Sequence, residues 1–190
     1  MIDFFLILII LMYSIILHEI AHGYVAYKLG DQTAKNENRL SLNPIVHIDP
    51  LGTIILPILG FLTTGFIFGW AKPVPYNPNN LKNPERDSIY IALAGPLVNI
   101  ILALIFVFLY KIFSLPIFLF GLRLNLVLAF FNLLPFPPLD GSKVLLTKIP
   151  FEIYQYLEIY GFLLIIIFII FFFPYFSNFI NLIQNFLLSI

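Results

Sequence analysis

The chain has no cysteine. A disulfide framework is therefore excluded, and so is any metal site built on thiolates; a bound metal would have to use His, Asp or Glu. Charge is scarce as well: 11% of residues are Asp, Glu, Lys or Arg, against about 25% in an ordinary soluble domain. The 10 basic and 10 acidic residues cancel, so no basic surface for nucleic acid is present. Residues 1–17 have neither a basic leading region nor a small-residue cleavage site, so they are expected to belong to the mature protein rather than to a signal peptide. Internal repeats are missing, and no stretch reads as a separate soluble domain. What remains is apolar, 61% hydrophobic with 22 Phe and 10 Tyr and a mean hydropathy of +0.98. Such a composition predicts one integral membrane domain over residues 1–190.

Only three histidines occur, and two of them stand four apart in His18-Glu19-Ile20-Ala21-His22, inside an apolar run. Residues at that spacing share one helix face, so both imidazoles can address one metal ion. Glu19, next to His18, can take a proton from the attacking water, the use zinc proteases make of H-E-x-x-H. Two histidines and a carboxylate in hydrocarbon are costly without a function. The pattern therefore predicts a metal site within the membrane.

The hydropathy pattern predicts an all-α polytopic bundle of about five to six transmembrane helices, with a short extended or re-entrant segment near the active site. The metal helix covers 4–29 and stops at Gly30-Asp31. An extended or re-entrant region follows over 40–80, whose apolar part, 52–69, is long enough to span or to enter and leave on one side. A helix over 84–111 starts at Asn83-Pro84, an N-cap followed by proline. The next helix, 116–135, runs into the proline cluster of a 135–142 loop, and C-terminal helices occupy 154–190. In the last of these, Asn178, Asn181, Gln184 and Asn185 leave spanning and interfacial placements both open. Lys28, Lys35, Arg39, Lys72, Lys82, Arg86, Lys143 and Lys148 fall on one side of this arrangement, which the positive-inside rule makes cytoplasmic. The histidine pair then lies about 12 Å below that face, at 1.5 Å per helical residue.

A catalytic zinc usually takes three protein ligands. The third is His47 or a carboxylate, and the best carboxylate is Asp140, in Asn132-Leu133-Leu134-Pro135-Phe136-Pro137-Pro138-Leu139-Asp140-Gly141. Prolines there interrupt helical hydrogen bonding, which membrane depth tolerates where the backbone lines a cavity. Asp140 also suits an N-cap for a helix starting at Gly141. His47, between two turn signals, reads better as a loop or gate residue than as a ligand. Gly95, Asn99 and Ala103 form a small-residue stripe for helix packing, with Asn99 as an interhelical hydrogen-bonder. Arg123 reads as a residue snorkelling to the outer face.

With these motifs together, the chain resembles the site-2 protease family of intramembrane zinc metalloproteases. The likeness rests on H-E-x-x-H in an early helix and N-x-x-P-x-P-P-L-D-G in a late one. It extends to His47-Ile48-Asp49-Pro50-Leu51-Gly52, Gly69-Trp70-Ala71-Lys72-Pro73-Val74-Pro75 and Ala94-Gly95-Pro96-Leu97-Val98-Asn99. The resemblance implies one Zn2+ per chain held by His18, His22 and Asp140, with Glu19 as catalytic base and Asn132 helping to hold substrate or oxyanion. It also implies a transmembrane protein or peptide substrate, surrounded by membrane lipid, cut in regulated intramembrane proteolysis or in clearance of signal-peptide remnants. The expected location is a prokaryotic cell membrane, with the active site towards the cytoplasm. PDZ and CBS domains, which many members carry, have no counterpart here, so the chain resembles a minimal member. Proline-rich segments 41–52 and 70–78 are expected beside the site, one of them pairing with unwound substrate as an added strand. The competing reading is a transporter or channel whose buried His, Glu and Asp form an ion path.

Overall fold

The computed structural model describes residues 2–55, 59, 62, 71–145 and 148–190. Most of the apolar 52–69 stretch, and with it the choice between spanning and re-entry, lies outside the described residues. Among the described residues the fold is helical and contains no strand.

Helix α1 (Ile2–Lys28) is free of proline and carries glycine only at Gly23, near its end. It closes with a Schellman arrangement, Asp31 N–H donating to Ala26 O (3.0 Å) and Gly30 N–H to Tyr27 O (3.2 Å). Gly30 sits at φ +112°, a conformation open to glycine at little cost. A single turn, α2 (Thr33–Asn36), follows. Helix α3 (Pro84–Phe113) begins with proline at its first position, and Asp87 Oδ2 accepts the Asn83 N–H at 3.1 Å, satisfying a donor at the helix entrance. Helix α4 (Pro116–Asn132) is shorter, about 25 Å at the standard rise. The short α5 (Ser142–Leu145) follows the proline loop. Helix α6 (Phe151–Ser189) closes the described chain.

Among the described residues, three helices are long and apolar enough to cross a membrane, namely Phe5–Lys28, Pro84–Phe113 and Glu152–Ser189, with Pro116–Asn132 as a shorter apolar helix. The expectation of separate C-terminal helices within 154–190 needs correction. One helix continues through Pro174, because a membrane helix can lose a hydrogen bond at proline where neighbouring groups re-satisfy the backbone. Its polar interruptions have a packing reason too: Arg123 on α4 donates to Asn181 Oδ1 and, at 3.2 Å, to Ser177 Oγ on α6. Arg123 therefore ties two helices together instead of snorkelling outward.

Helix α3 is the central element, packed against both α1 and α4. Its buried stripe Ile91, Gly95, Asn99, Ala103 and Val107 repeats every fourth residue, as one helix face requires. The outer half of the stripe, Ala103 and Val107, joins Leu122, Leu126, Phe176 and Ile180 in an apolar core shared with α4 and α6. The inner half faces Ser14, His18, His22 and Ala26 on α1, again at four-residue spacing, and there the interface turns polar. Elsewhere α6 presents Phe and Ile side chains outward, as expected of a surface facing lipid.

Candidate metal centre

His18 and His22 project from one face of α1 onto α3. Their rings meet edge to face, with centroids 4.7 Å apart. Asp140 reaches them from the loop after α4, Oδ2 lying 3.1 Å from His18 Nε2 and 3.3 Å from His22 Nε2. Side-chain exposures are only 8%, 12% and 21%. The loop comes back onto the end of α4 through Gly141, whose N–H donates to Asn132 O at 2.7 Å. A Cβ on Gly141 would lie 2.1 Å from Leu133 O, so no larger residue fits this return. Helix α6 braces the same loop, with Gly161 so close to Pro137 that a Cβ would stand 1.9 Å from its carbonyl oxygen. The Pro137–Pro138 peptide is cis.

The hydrogen bonds on the far side of each imidazole decide which ring nitrogen is free. His22 Nδ1 lies 2.7 Å from Ile91 O, and a carbonyl can only accept, so Nδ1 carries the proton. His18 Nδ1 lies 2.5 Å from Asn99 Oδ1 and is likewise the donor. As neutral imidazoles both rings therefore turn an unprotonated Nε2 towards Asp140 Oδ2, itself a buried atom with no hydrogen-bond donor. Three lone pairs converge, their donor atoms within 4.8 Å of one another. Without a cation that arrangement is repulsive, and with one it is a ligand set, so these residues fit a metal. Gly95 makes room for the pair: a Cβ there would lie 2.5 Å from His22 Nε2 and 2.6 Å from His18 Nε2.

Glu19 is engaged from another direction. Its Oε2 accepts the Val74 N–H at 2.8 Å, while Pro73 and Pro75 on either side have no N–H to offer. The segment carrying Val74 is itself fixed. Arg39, 4% exposed, donates through Nη2 to Lys72 O (2.7 Å) and Pro73 O (3.3 Å). Lys72 N–H donates to His47 O at 3.0 Å.

Of the residues expected at the site, His18, His22 and Asp140 are brought together and Glu19 adjoins them along α1. Asn132 turns its amide back onto its own helix, donating to Leu128 O at 2.9 Å. Asp140 directs its carboxylate at the histidines rather than at the start of α5. His47 is buried but stands outside the three-residue group, its Nε2 on Ser41 O at 2.7 Å. Sequence reasoning overlooked Arg39, whose loop position gives no sign of burial. It overlooked Ser14 and Asn125 as well, although a polar residue in an apolar helix is a recognisable signal.

The profile of peptidase family M50 matches residues 6–117. The chain is 45% identical over 156 residues to the candidate zinc metalloprotease YwhC of Bacillus subtilis, covering 75% of this chain and 68% of that one. It is 38% identical over 138 residues to the candidate zinc metalloprotease MJ0611 of Methanocaldococcus jannaschii, covering 68% and 63%. With the candidate zinc metalloprotease Rip2 of Mycolicibacterium smegmatis it shares 29% over 167 residues, 83% of this chain and 63% of that protein. The chain thus spans about two thirds of the length of these relatives. No solved structure matches it.

Proposed function

The chain belongs to peptidase family M50, the site-2 protease family of membrane-embedded zinc metalloproteases, and on that premise we propose that it is an intramembrane endopeptidase. Its substrate is the transmembrane segment of another membrane protein, or the residues close to it, as in regulated intramembrane proteolysis or signal-peptide clearance. The observation that carries this reading is the convergence of His18 Nε2, His22 Nε2 and Asp140 Oδ2 in a buried, donor-free cluster. A transporter, the other reading such buried groups admit, is not favoured by the relatives.

His18, His22 and Asp140 would hold the zinc. When bound, the metal supplies Lewis-acid polarisation of the scissile carbonyl and lowers the pKa of water. Glu19 accepts the proton of the attacking water and passes it to the leaving amine, a general-base contribution of about 10²–10⁴ in rate. Val74 N–H, held by Arg39 through the 72–73 backbone, keeps one carboxylate oxygen of Glu19 in place and leaves the other for water. Asn132 assists the oxyanion once its amide leaves Leu128 O. The four apolar helices α1, α3, α4 and α6 cross the membrane, and the Lys72 N–H to His47 O bond holds those two residues side by side. The whole forms one domain in a prokaryotic cell membrane, with its active site reached from the cytoplasmic side, where the basic residues gather.

Zinc per chain in detergent-purified protein tests the site. Wild type is expected to hold one zinc, Glu19→Gln to retain it without cleaving a reporter membrane protein, and Asp140→Ala to lose it. A metal-supplemented wild type without zinc would sink the reading.

A further inference from the structure

Behind His18 lies a buried polar chain that neither the reaction nor simple packing requires. Asn99 on α3 and Asn125 on α4 are both 0% exposed, and Ser14 on α1 is 3% exposed. Asn99 Oδ1 faces His18 Nδ1 at 2.5 Å. Asn99 Nδ2 donates to Asn125 Oδ1 (2.8 Å) and to Ser14 O (3.3 Å). Asn125 Nδ2 donates to Gly121 O (2.9 Å) and to Ser14 Oγ (3.0 Å). All four amide protons are used, and the oxygen of each asparagine has a donor.

The order of donors and acceptors runs in one direction only. Gly121 O belongs to the α4 backbone and can accept but not donate, so the Asn125 amide must turn its NH2 towards it. That turns Asn125 Oδ1 towards Asn99, which must answer with its own NH2. Ser14 O, another backbone acceptor, demands the same orientation. Asn99 is left with its oxygen towards His18, and His18 must then carry its proton on Nδ1. The Nε2 lone pair is thereby committed to the side of Asp140 and His22. Reversing either amide would set two oxygens against each other in a site sealed from water, where an unmet polar group is costly.

We propose that Asn99 and Asn125 are positioning residues for the metal: a two-asparagine relay, anchored on the Gly121 and Ser14 carbonyls, that fixes the ring orientation and tautomer of His18. His22 needs no relay because it meets a carbonyl, Ile91 O, directly. The inference rests on His18 being a zinc ligand. Partners behind ligating histidines commonly change metal affinity by about 10–100-fold when removed, and here the effect extends to a residue one hydrogen bond further back.

The test is zinc affinity of the full-length purified chain, by competition with a chromophoric chelator, with cobalt(II) absorption as a second readout. Asn99→Leu is expected to bind zinc about 10–100-fold more weakly. Asn99→Asp keeps an acceptor for His18 but turns its second oxygen on Asn125 Oδ1 and Ser14 O, so its zinc affinity is expected between that of wild type and that of Asn99→Leu. Asn125→Leu leaves only the 3.3 Å bond to Ser14 O to hold the Asn99 amide against turning its NH2 on His18, and is expected to weaken binding about tenfold. The decisive variant is Asn125→Leu with Asn99→Asp. A carboxylate has no donor end to turn, so zinc affinity and the cobalt spectrum should return towards wild type. A structural role for Asn125 would not be rescued in this way. Wild-type affinity in both leucine variants, or failure of the double variant to recover, overturns the relay while leaving one zinc per wild-type chain and the protease reading intact. Absence of metal from wild type overturns both. If Asn99→Leu does not fold, Asn125→Leu and its rescue decide the matter.

Discussion

Gly95 occupies a place where one methyl group would meet the ligating nitrogens of both histidines, 2.5 Å from His22 Nε2 and 2.6 Å from His18 Nε2. Those distances are well inside van der Waals contact, and neither ring can yield without leaving its partner, Asn99 Oδ1 or Ile91 O. Gly95→Ala is therefore expected to lower zinc affinity at least tenfold, the scale of disturbances behind ligating histidines, with helix content unchanged by circular dichroism. Undiminished affinity would mean that the rings sit elsewhere when metal is bound. From sequence, Gly95 reads as a member of a packing stripe, which is half of its role. Helical spacing reveals that residues 95, 99 and 103 share a face, but not that the face opposite holds two imidazoles. His18 and His22 were legible because their spacing and chemistry coincide within one helix. Asn125 was not, because its significance depends on three helices meeting.

At the scale of elements, the loop after α1 is held by a knot around Asp31, whose side chain is buried. Oδ1 accepts from Thr33 N (3.2 Å), Thr33 Oγ1 (2.6 Å) and Asn80 Nδ2 (2.7 Å), and Oδ2 accepts from Asn77 N (2.7 Å). Burial alone would raise the Asp31 pKa, but these donors outweigh it and hold the carboxyl below the usual carboxylate range. A depressed folded-state pKa contributes stability that is fully present above the unfolded value, about 3.9, and is lost as pH falls through the folded value. Asp31→Asn is thus expected to lower Tm at pH 7 by about 3 °C or more, the effect of about 1 kcal/mol in a domain of this size. The difference from wild type should shrink below about pH 4. A constant difference across thermal scans from pH 7 to pH 3 would show that the charge is not what matters. The knot also joins 31–33 to 77–80, segments whose turn residues predict loops but not that the loops meet. The long α6 was misread for a related reason. Pro174 and four amides look like a break until Arg123 supplies a partner for Asn181.

For the whole molecule, the question is which end of the bundle faces which compartment. If α1, α3, α4 and α6 each cross once, Lys28 and the starts of α3 and α6 share a face with the end of α4. Lys111, at the far end of α3, then lies opposite together with the C-terminal end of α6. Eight of the ten basic residues gather on the first face, which the positive-inside rule assigns to the cytoplasm. The chain's lack of cysteine gives a label-free background for testing this with single substitutions at exposed positions. Lys35→Cys and Lys82→Cys are expected to react with a membrane-impermeant maleimide only after cells are permeabilised. Lys111→Cys and Ser189→Cys should react in intact cells. Labelling of Ser189→Cys only after permeabilisation would mean that α6 does not cross. A full exchange of the two patterns would place the metal centre nearer the outer face. Substrates would then be cut from the opposite side, with the His18–His22–Asp140 geometry unaltered.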